Sequence, residues 1–505
     1  MAWPPADAQH LLVTAAVVKG LEQELFTNGL PVAALMEKAG LGLAQRLLAT
    51  PGLPQRGVLV LVGPGHNGGD GLVVARELQL AGVPVQLWSP FEQHKPLTAD
   101  HLRQALWLGI PRLAQEPDPH GPELWLDALF GVGQNRPLPA PIARLFDRRF
   151  QAGGECWGLD GPSGLCSDTG QPLGSTAAHC SRSLVVGLWK QGLWQDSALA
   201  WVGEQERIDL ALPASLVERW GAQQTLGLWG HDNHASPKPA AAAAKHGRGR
   251  LRVIAGSRAY PGAGRLALEG ASASGIGWLE GALPPEQAQQ LWQVLPHVLL
   301  QGRQDPLERL DAVAFGPGLG LGPEPGEKGL LEALQGFSGL VLLDADGLNR
   351  LASKGASGPW LRGRQGPTWI TPHRAEFNRL FPELTDLPPL EAAAGAAAEG
   401  GAWVLLKGAH TVIASPLGRR WQLLDSSPWA ARAGLGDVLA GYATGLGALG
   451  LAAGLGPHGP ALGELLALAA LRHGLAGRQC ADRGEGAASP LAVAQQLTKL
   501  EICKK

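Results

Sequence analysis

Short apolar runs that end in glycine loops and lead into helices recur along this chain, and the pattern admits few folds. Val58–Val62 (VLVLV) runs into Gly63-Pro64-Gly65-His66-Asn67-Gly68-Gly69-Asp70-Gly71. Leu72–Leu80 then reads as a helix and Val83–Trp88 as the next strand. A strand with no polar alternation is buried on both faces, which calls for a parallel sheet covered by helices. Leu124–Phe130 and Cys156–Leu159 repeat the unit, and so do Arg250–Gly256, Val313–Phe315, Leu340–Leu343, Trp369–Thr371 and Trp403–Leu406. The fold class is therefore α/β. Between the two sets lies Asn233–Lys245 (NHASPKPAAAAAK), whose alanines and prolines read as a linker. The expected organisation is a domain over 1–225, a linker over 226–245 and a domain over 246–505.

Composition narrows the function. Lys and Arg total 42 against 44 Asp and Glu, so the net charge of −2 excludes a nucleic-acid binder driven by bulk charge. The cysteines Cys156, Cys166, Cys180, Cys480 and Cys503 form no C-x-x-C pair, which argues for reduced thiols and against a zinc ribbon. The opening MAWPPADAQH has no cationic leader, and Lys19 interrupts the apolar run that follows. The uncharged stretch Val438–Gly463 holds eight glycines with Pro457 and Pro460, so it fits a close-packed helix and a loop rather than a membrane span. A soluble, cytoplasmic protein is expected.

In the first half the loop after Val62 departs from G-x-G-x-x-G. Exposed amides at a helix start receive phosphate, whereas Asp70 beside them suits a ribose hydroxyl or a cation. Loops rich in carboxylate, amide and hydroxyl groups also follow the next two strands. These are Gly131-Val132-Gly133-Gln134-Asn135-Arg136-Pro137 and Asp160-Gly161-Pro162-Ser163-Gly164. Parallel strands bring such loops to one edge, where α/β folds bind ligands. The oxygens of Asn67, Asp127 and Ser163 suit a hard cation with few charges, hence a monovalent one.

This half resembles the NAD(P)HX epimerase family, on the residues Ala34–Gly40 (ALMEKAG), 66–71 (HNGGDG), 127–133 (DALFGVG) and 160–164 (DGPSG). The resemblance implies a Rossmann-like three-layer domain. It implies potassium on Asn67, Asp127 and Ser163. It also implies the hydrated nicotinamide nucleotide on His66, Asn67, Gly68, Gly69 and Asp70, on Gly131, Val132, Gly133, Gln134, Asn135, Arg136 and Pro137, and on Asp160. His66 stands where the family has its first Asn. Epimerisation at a carbon bearing a hydroxyl and a ring nitrogen needs acid–base groups, and the resemblance points to Lys190 and Asp209.

In the second half, Gly434-Leu435-Gly436-Asp437 opens a helix over Val438–Leu449. Its amides, at the positive end of a helix dipole, form an anion hole, and Asp437 beside them can take a proton from an attacking hydroxyl. This half resembles the ADP/ATP-dependent NAD(P)HX dehydratases, which have a ribokinase-like fold. The matching segments are 255–264 (AGSRAYPGAG), 316–320 (GPGLG), 343–349 (LDADGLN), 371–373 (TPH), 406–414 (LKGAHTVIA) and 433–441 (AGLGDVLAG). By that resemblance Ala263, Gly318, His373 and Asp437 contact the hydrated nucleotide. Lys407, Gly408, Ala409, His410, Thr411 and Gly436 hold the adenine nucleotide. Magnesium and ADP are the implied co-reactants. Arg432 and Leu435 replace hydroxyl residues of the family's loop.

The two resemblances together imply a repair enzyme. One half would interconvert the epimers of NADHX and NADPHX, and the other would dehydrate the S form with ADP, giving AMP and phosphate. A homo-oligomer is expected, with neither nucleic acid nor membrane as a partner. Two alternatives use the same motifs: a small-metabolite kinase in the second half, or an epimerase fused to an inactive nucleotide-binding domain. Both keep the ribokinase-like fold.

Overall fold

The computed structural model describes residues 3–232, 236–320, 322, 329–355 and 357–500. Two compact units divide the chain, one of Pro5–Thr225 and one of Leu226–Lys505 with the first four residues. Asn233–Ala235, part of the expected linker, and Cys503 lie outside the described residues.

The first unit opens with a short strand, β1 (Leu11–Val13), and the helices Ala15–Thr27 and Val32–Leu48. Its sheet is built from β2 (Val58–Val62), β3 (Val85–Trp88), β4 (Leu124–Ala128), β5 (Cys156–Leu159) and β6 (Arg182–Val186). The short β7 (Trp189–Lys190) pairs with β1, and β8 (Glu204–Ile208) completes the sheet. The order is β3-β2-β4-β5-β6-β8, with every pairing parallel. The chain moves from β2 outward to β3 and then returns to β4 on the other side. The order reverses between β2 and β4, which opens a crevice at their carboxyl ends. β6 and β8 escape a reading based on apolar runs because Arg182, Glu204 and Glu206 lie within them, pairing at the sheet surface.

The helix after β2 spans His66–Leu80, so its first turn is made by the residues that read as loop. Glycine permits this by allowing close approach. A Cβ on Gly68 would stand 2.1 Å from the Gly63 carbonyl oxygen, and one on Gly71 2.5 Å from Ala128 Cβ. The loop composition therefore encodes contact of the helix start with the sheet.

The second unit holds β9 (Thr225–Leu228), β10 (Arg250–Ile254), β11 (Trp278–Ala282), β12 (Leu299–Leu300) and β13 (Ala312–Phe315). It continues with β14 (Leu340–Leu343), β15 (Thr368–Ile370), β16 (Trp403–Leu406), β17 (Val412–Ala414) and β18 (Arg420–Leu423). Their order is β12-β11-β10-β13-β14-β15-β16-β17-β18-β9. Pairing is parallel except along β16-β17-β18, which is antiparallel. The order reverses between β10 and β13, and the second crevice opens there. Residues 226–228, expected in the linker, belong to this sheet. Leu226, Gly227 and Leu228 pair with Trp421, Gln422 and Leu423, because the apolar run TLGL can bury itself against an edge strand.

The helix Leu435–Ala452 crosses Pro261–Ala273 at a seam of small residues. A Cβ on Gly441 would lie 1.8 Å from the Ala267 carbonyl oxygen, and one on Gly270 2.1 Å from that of Val438. Leu435–Ala452 is long and apolar enough to cross a membrane, yet 78% of it is buried inside the protein. The stretch that looked uncharged is thus a core helix, then a loop, then a helix that Pro460 opens.

Candidate functional site

In the first unit three strand ends converge, as their motifs anticipate. Asp127, in β4, is fully buried. Its Oδ1 accepts from Ser163 Oγ at 2.7 Å and from the Leu129 amide at 3.2 Å, and its Oδ2 accepts from the Ser163 amide at 2.7 Å. Every one of these partners is neutral. Burial accordingly raises the Asp127 pKa to about 6, against the pull of those hydrogen bonds. Asn67 stands beside them: a Cβ on Gly131 would meet its amide carbon at 3.1 Å, and its buried Nδ2 has no partner. The Phe130 carbonyl lies 3.4 Å from Ser163 Oγ. A buried carboxylate with oxygen neighbours and no cationic side chain fits a monovalent cation. Among the described residues no three His, Cys, Asp or Glu side chains are grouped to hold a metal ion.

Gln134 staples two of the loops. Its Nε2 donates to the Phe130 and Pro162 carbonyls at 3.2 Å, and its Oε1 accepts from the Gly164 amide at 2.6 Å. The loop Gly131–Pro137 is thereby held against 160–164, with Gly133 in the left-handed region and Asn135 and Arg136 exposed.

Next to this lies a cavity of about 110 Å³. Asp70, Asp160, Lys190, His66 and Glu22 bring polar groups to its wall, and Val18, Phe26 and Leu35 are among its apolar lining. Lys190 is not a solvated strand-end lysine: it is 1% exposed, and its Nζ donates to Asp160 Oδ1 and to the Val186 carbonyl, both at 2.5 Å. Asp160 has φ +58, a strained conformation for a residue other than glycine, and the Val186 amide fixes its carboxylate at 3.0 Å. Asp70 is pushed well above the usual carboxylate range by burial, then by Asp160 and Glu22, with Lys190 opposing. Burial and Lys95 lower the His66 pKa.

Asp209, expected beside Lys190, is not part of this wall. Its carboxylate is largely exposed and is taken by Arg207 Nη1 at 3.0 Å and the Ala211 amide at 3.1 Å. Leu210 and Leu212, its neighbours in sequence, line the cavity instead. Glu22 was missed. It sits between Val18 and Phe26 at helical spacing of four, so an acid interrupting an apolar stripe was the available signal.

In the second unit the loops after β10 and β13 meet at the reversal point. A Cβ on Gly318 would lie 2.5 Å from Ala263 Cβ and 2.8 Å from Tyr260 Cβ. Asp344 and Asp346 follow β14. Asp344 is buried, and its Oδ1 accepts from Lys407 Nζ at 2.7 Å and Thr371 Oγ1 at 2.9 Å. Asp346 Oδ2 accepts from the Gly320 amide at 2.8 Å, and Ala345 between them has φ +45.

His373 caps the helix Arg374–Leu380. Its Nδ1 accepts from the amides of Ala375 and Glu376 at 3.1 and 3.3 Å, while Glu376 Oε2 accepts from the His373 amide at 2.8 Å. The ring proton therefore resides on Nε2, which lies 3.3 Å from Glu376 Oε1. Burial lowers the Lys407 pKa, but Asp344, Glu376 and Asp437 outweigh it and the net shift is upward.

Asp437 lies in the first turn of Leu435–Ala452, whose start places Gly436 over the lysine: a Cβ there would be 3.4 Å from Lys407 Nζ. Burial, then Asp344 and Asp346, raise the Asp437 pKa to about 7, with Lys407 opposing. Asp437, Lys407, Gly436 and His373 are thus gathered with Asp344, Asp346 and Thr371, which the matching segments contain without an assigned role, and with Glu376, which lies outside them. Gly408, Ala409, His410 and Thr411 form the turn between β16 and β17, closed by Thr411 Oγ1 donating to the Gly408 carbonyl at 3.1 Å. Arg432 Nη1 donates to the Gly486 carbonyl at 3.0 Å, and Leu435 is buried.

The family model for NAD(P)H-hydrate dehydratase matches residues 251–499, and that for the YjeF-related protein N-terminus matches 32–192. The bifunctional NAD(P)H-hydrate repair enzyme Nnr of Gloeobacter violaceus is 42% identical over 87% of this chain and 88% of its own length. The chain belongs to the bifunctional NAD(P)H-hydrate repair enzymes. The Synechocystis member is also 42% identical, over 86% of this chain and 85% of its own. A solved Bacillus subtilis ADP/ATP-dependent NAD(P)H-hydrate dehydratase, co-crystallised with ATP and Mg2+, is 26% identical; it covers 54% of this chain and 94% of its own, with a TM-score of 0.44. As a repair enzyme of this family the chain epimerises hydrated NAD(P)H and dehydrates it back to NAD(P)H in a nucleotide-dependent reaction. Each of its two units is an α/β fold built on a mainly parallel sheet.

Proposed function

We propose that the Pro5–Thr225 unit carries the epimerase and the Leu226–Lys505 unit the dehydratase, and that ADP is the phosphoryl donor for the S epimer. The placement of Asp437 supports the second assignment. Its carboxyl stands at a helix start beside Lys407 and the Gly436 backbone, with a pKa of about 7 that suits a base near neutrality. Asp437 takes the proton of the ring hydroxyl as that oxygen attacks the β-phosphorus of ADP. The bond to the AMP oxygen breaks, and Lys407 with the 434–437 amides meets the developing negative charge. The ring then loses phosphate and a proton from the adjacent carbon, which restores the double bond of the dihydronicotinamide. Ala263, Gly318 and His373 line the side where the hydrated ring would lie, and Lys407–Thr411 with Gly436 the side of the adenine nucleotide. Magnesium, carried on the phosphates, would neutralise their charge, with Asp344 and Asp346 at the loop edge.

In the first unit, potassium would be held by Asn67, Asp127 and Ser163. The Asp127 carboxylate, whose hydrogen-bond partners are all neutral, and the Asn67 side chain packed against Gly131 support this. The nucleotide would run over 66–70 and 131–137 to Asp160, with NADHX and NADPHX both accepted. We read the protein as a cytoplasmic homo-oligomer. The decisive experiment incubates the full chain with both NADHX epimers, magnesium and ADP, and follows reduced-nicotinamide absorbance. Full recovery that Asp437→Ala abolishes upholds the assignment. Recovery that needs ATP, or that survives Asp437→Ala, refutes it.

A further inference from the structure

The helix Ala15–Thr27 carries two acids, and the fold uses them differently. Glu24 is engaged by Arg219 Nη2 at 2.5 Å and Trp220 Nε1 at 2.9 Å. Glu22, one turn from Val18 and one turn from Phe26, lines the cavity with Asp70, Asp160, Lys190 and His66. No hydrogen bond or ion pair to another described residue holds it. Leu21, Val32 and Leu35 complete an apolar wall around it. A half-buried carboxyl without a partner costs free energy that an apolar residue would avoid. Burial, then the nearby Asp160, raise its pKa, with Lys190 opposing, so the carboxyl keeps its proton to higher pH than a solvated one.

The reaction assigned to this cavity needs such a group. The epimerising carbon bears a hydroxyl and is bonded to the ring nitrogen. The hydroxyl leaves as water only if an acid protonates its oxygen; the nitrogen lone pair then closes a carbon–nitrogen double bond. Water adds back to the opposite face, and its surplus proton passes to the carboxylate. One carbon–oxygen bond breaks and one forms, the proton is returned, and nothing is oxidised or reduced.

We propose that Glu22 is a catalytic residue of the epimerase, the acid that protonates the departing hydroxyl, working beside the Asp160–Lys190 pair. This rests on the reading of the cavity as the epimerase site. Asp209, bound to Arg207 outside the wall, is not available for the task.

The test follows conversion of a single NADHX epimer by the full chain without ADP, with the epimers separated chromatographically. Glu22→Gln lowers kcat by about 10²–10⁴-fold, the usual contribution of a positioned acid, while KM stays within about threefold. Glu22→Asp, which keeps a carboxyl, recovers part of the rate. ADP-dependent dehydration of the S epimer by Glu22→Gln is unchanged, which shows an intact protein. Wild-type rates in Glu22→Gln would overturn the proposal. So would loss of NADHX binding, followed by tryptophan fluorescence, in both variants, since that places Glu22 in binding or folding. If wild type itself fails to exceed the spontaneous rate, the assignment of the cavity falls, and Glu22 with it.

Discussion

Lys407 Nζ donates to Asp344 Oδ1 at 2.7 Å, which sets a half-buried cation against a buried carboxylate under the start of the Leu435–Ala452 helix. The two residues act on Asp437 with opposite signs: Asp344 raises its pKa and Lys407 lowers it, around a value of about 7 dominated by burial. A base must be deprotonated to act, so dehydratase kcat/KM rises with pH through about 7 and levels above it. Removing the Asp344 charge with Asp344→Asn moves that limb to lower pH, whereas Lys407→Met moves it to higher pH. Rates with the S epimer and ADP, measured across roughly pH 5.5–9, check both directions. Displacement of the limb in the same direction in the two variants would contradict the electrostatic account.

Asp127 offers a second pH effect, this time on stability. Its folded pKa of about 6 lies above the ordinary 3.8, so the folded state binds this proton more tightly than the unfolded state does. The contribution is fully present below the unfolded pKa and is lost as pH rises through about 6; the difference between the two pKa values corresponds to about 3 kcal/mol. A potassium ion bound beside the carboxylate, as proposed, would offset that loss. Thermal unfolding of the first unit at pH 7.5 is therefore expected to rise with added KCl over NaCl. At pH 5, where the proton already neutralises Asp127, the difference shrinks, and Asp127→Asn removes it. Equal responses to the two salts in the wild type would count against the cation site.

Lys190 and Asp209 separate by environment, and so should their variants. Lys190 is buried on Asp160, while Asp209 is taken by Arg207 at the surface. Lys190→Met leaves Asp160 without its counter-charge in the cavity wall, and epimerisation falls by at least about 10²-fold. Asp209→Asn changes it by less than about twofold, since it removes only an exposed pair. An epimer-conversion assay on the two purified variants distinguishes them, and the reverse ranking would restore Asp209 as the acid.

Much of both sites could be read from residue order, for a definite reason. Parallel strands deliver their following loops to one edge, so VLVLV, LWLDA and CWGL carried Asn67, Asp127 and Ser163 to one place without any tertiary information. The GLGD turn likewise had to sit at a helix start. What stayed hidden depends on the packing of distant elements. The apolar stripe around Glu22 is the only local mark that separates it from Glu24, which Arg219 and Trp220 claim from far along the chain. The Asp344–Lys407 pair joins residues 63 apart in sequence. β9 and the β17–β18 hairpin were obscured because Thr225, Gly227, Arg420 and Gln422 interrupt their apolar runs and the antiparallel hairpin lacks the glycine loop and helix that follow the other strands.

The helix crossing at Gly441 allows the two activities to be separated by one substitution. A Cβ there falls 1.8 Å from the Ala267 carbonyl oxygen, and the next contacts are backbone atoms of Ala267 and Ala271. Backbone cannot swing aside as a side chain can, so Gly441→Ala forces the two helices apart along the seam that carries Asp437 at one end. The strain exceeds the roughly 1–3 kcal/mol typical of one extra methylene in a core, so a loss of about 3 kcal/mol or more from the second unit is expected. Dehydratase activity falls with it, because the start of the helix shifts relative to Lys407. The first unit has its own sheet and core and does not contain this seam, so epimer conversion by the same preparation should persist. Thermal unfolding recorded with both assays on Gly441→Ala checks the outcome. Parallel loss of the two activities would show that the units do not fold independently.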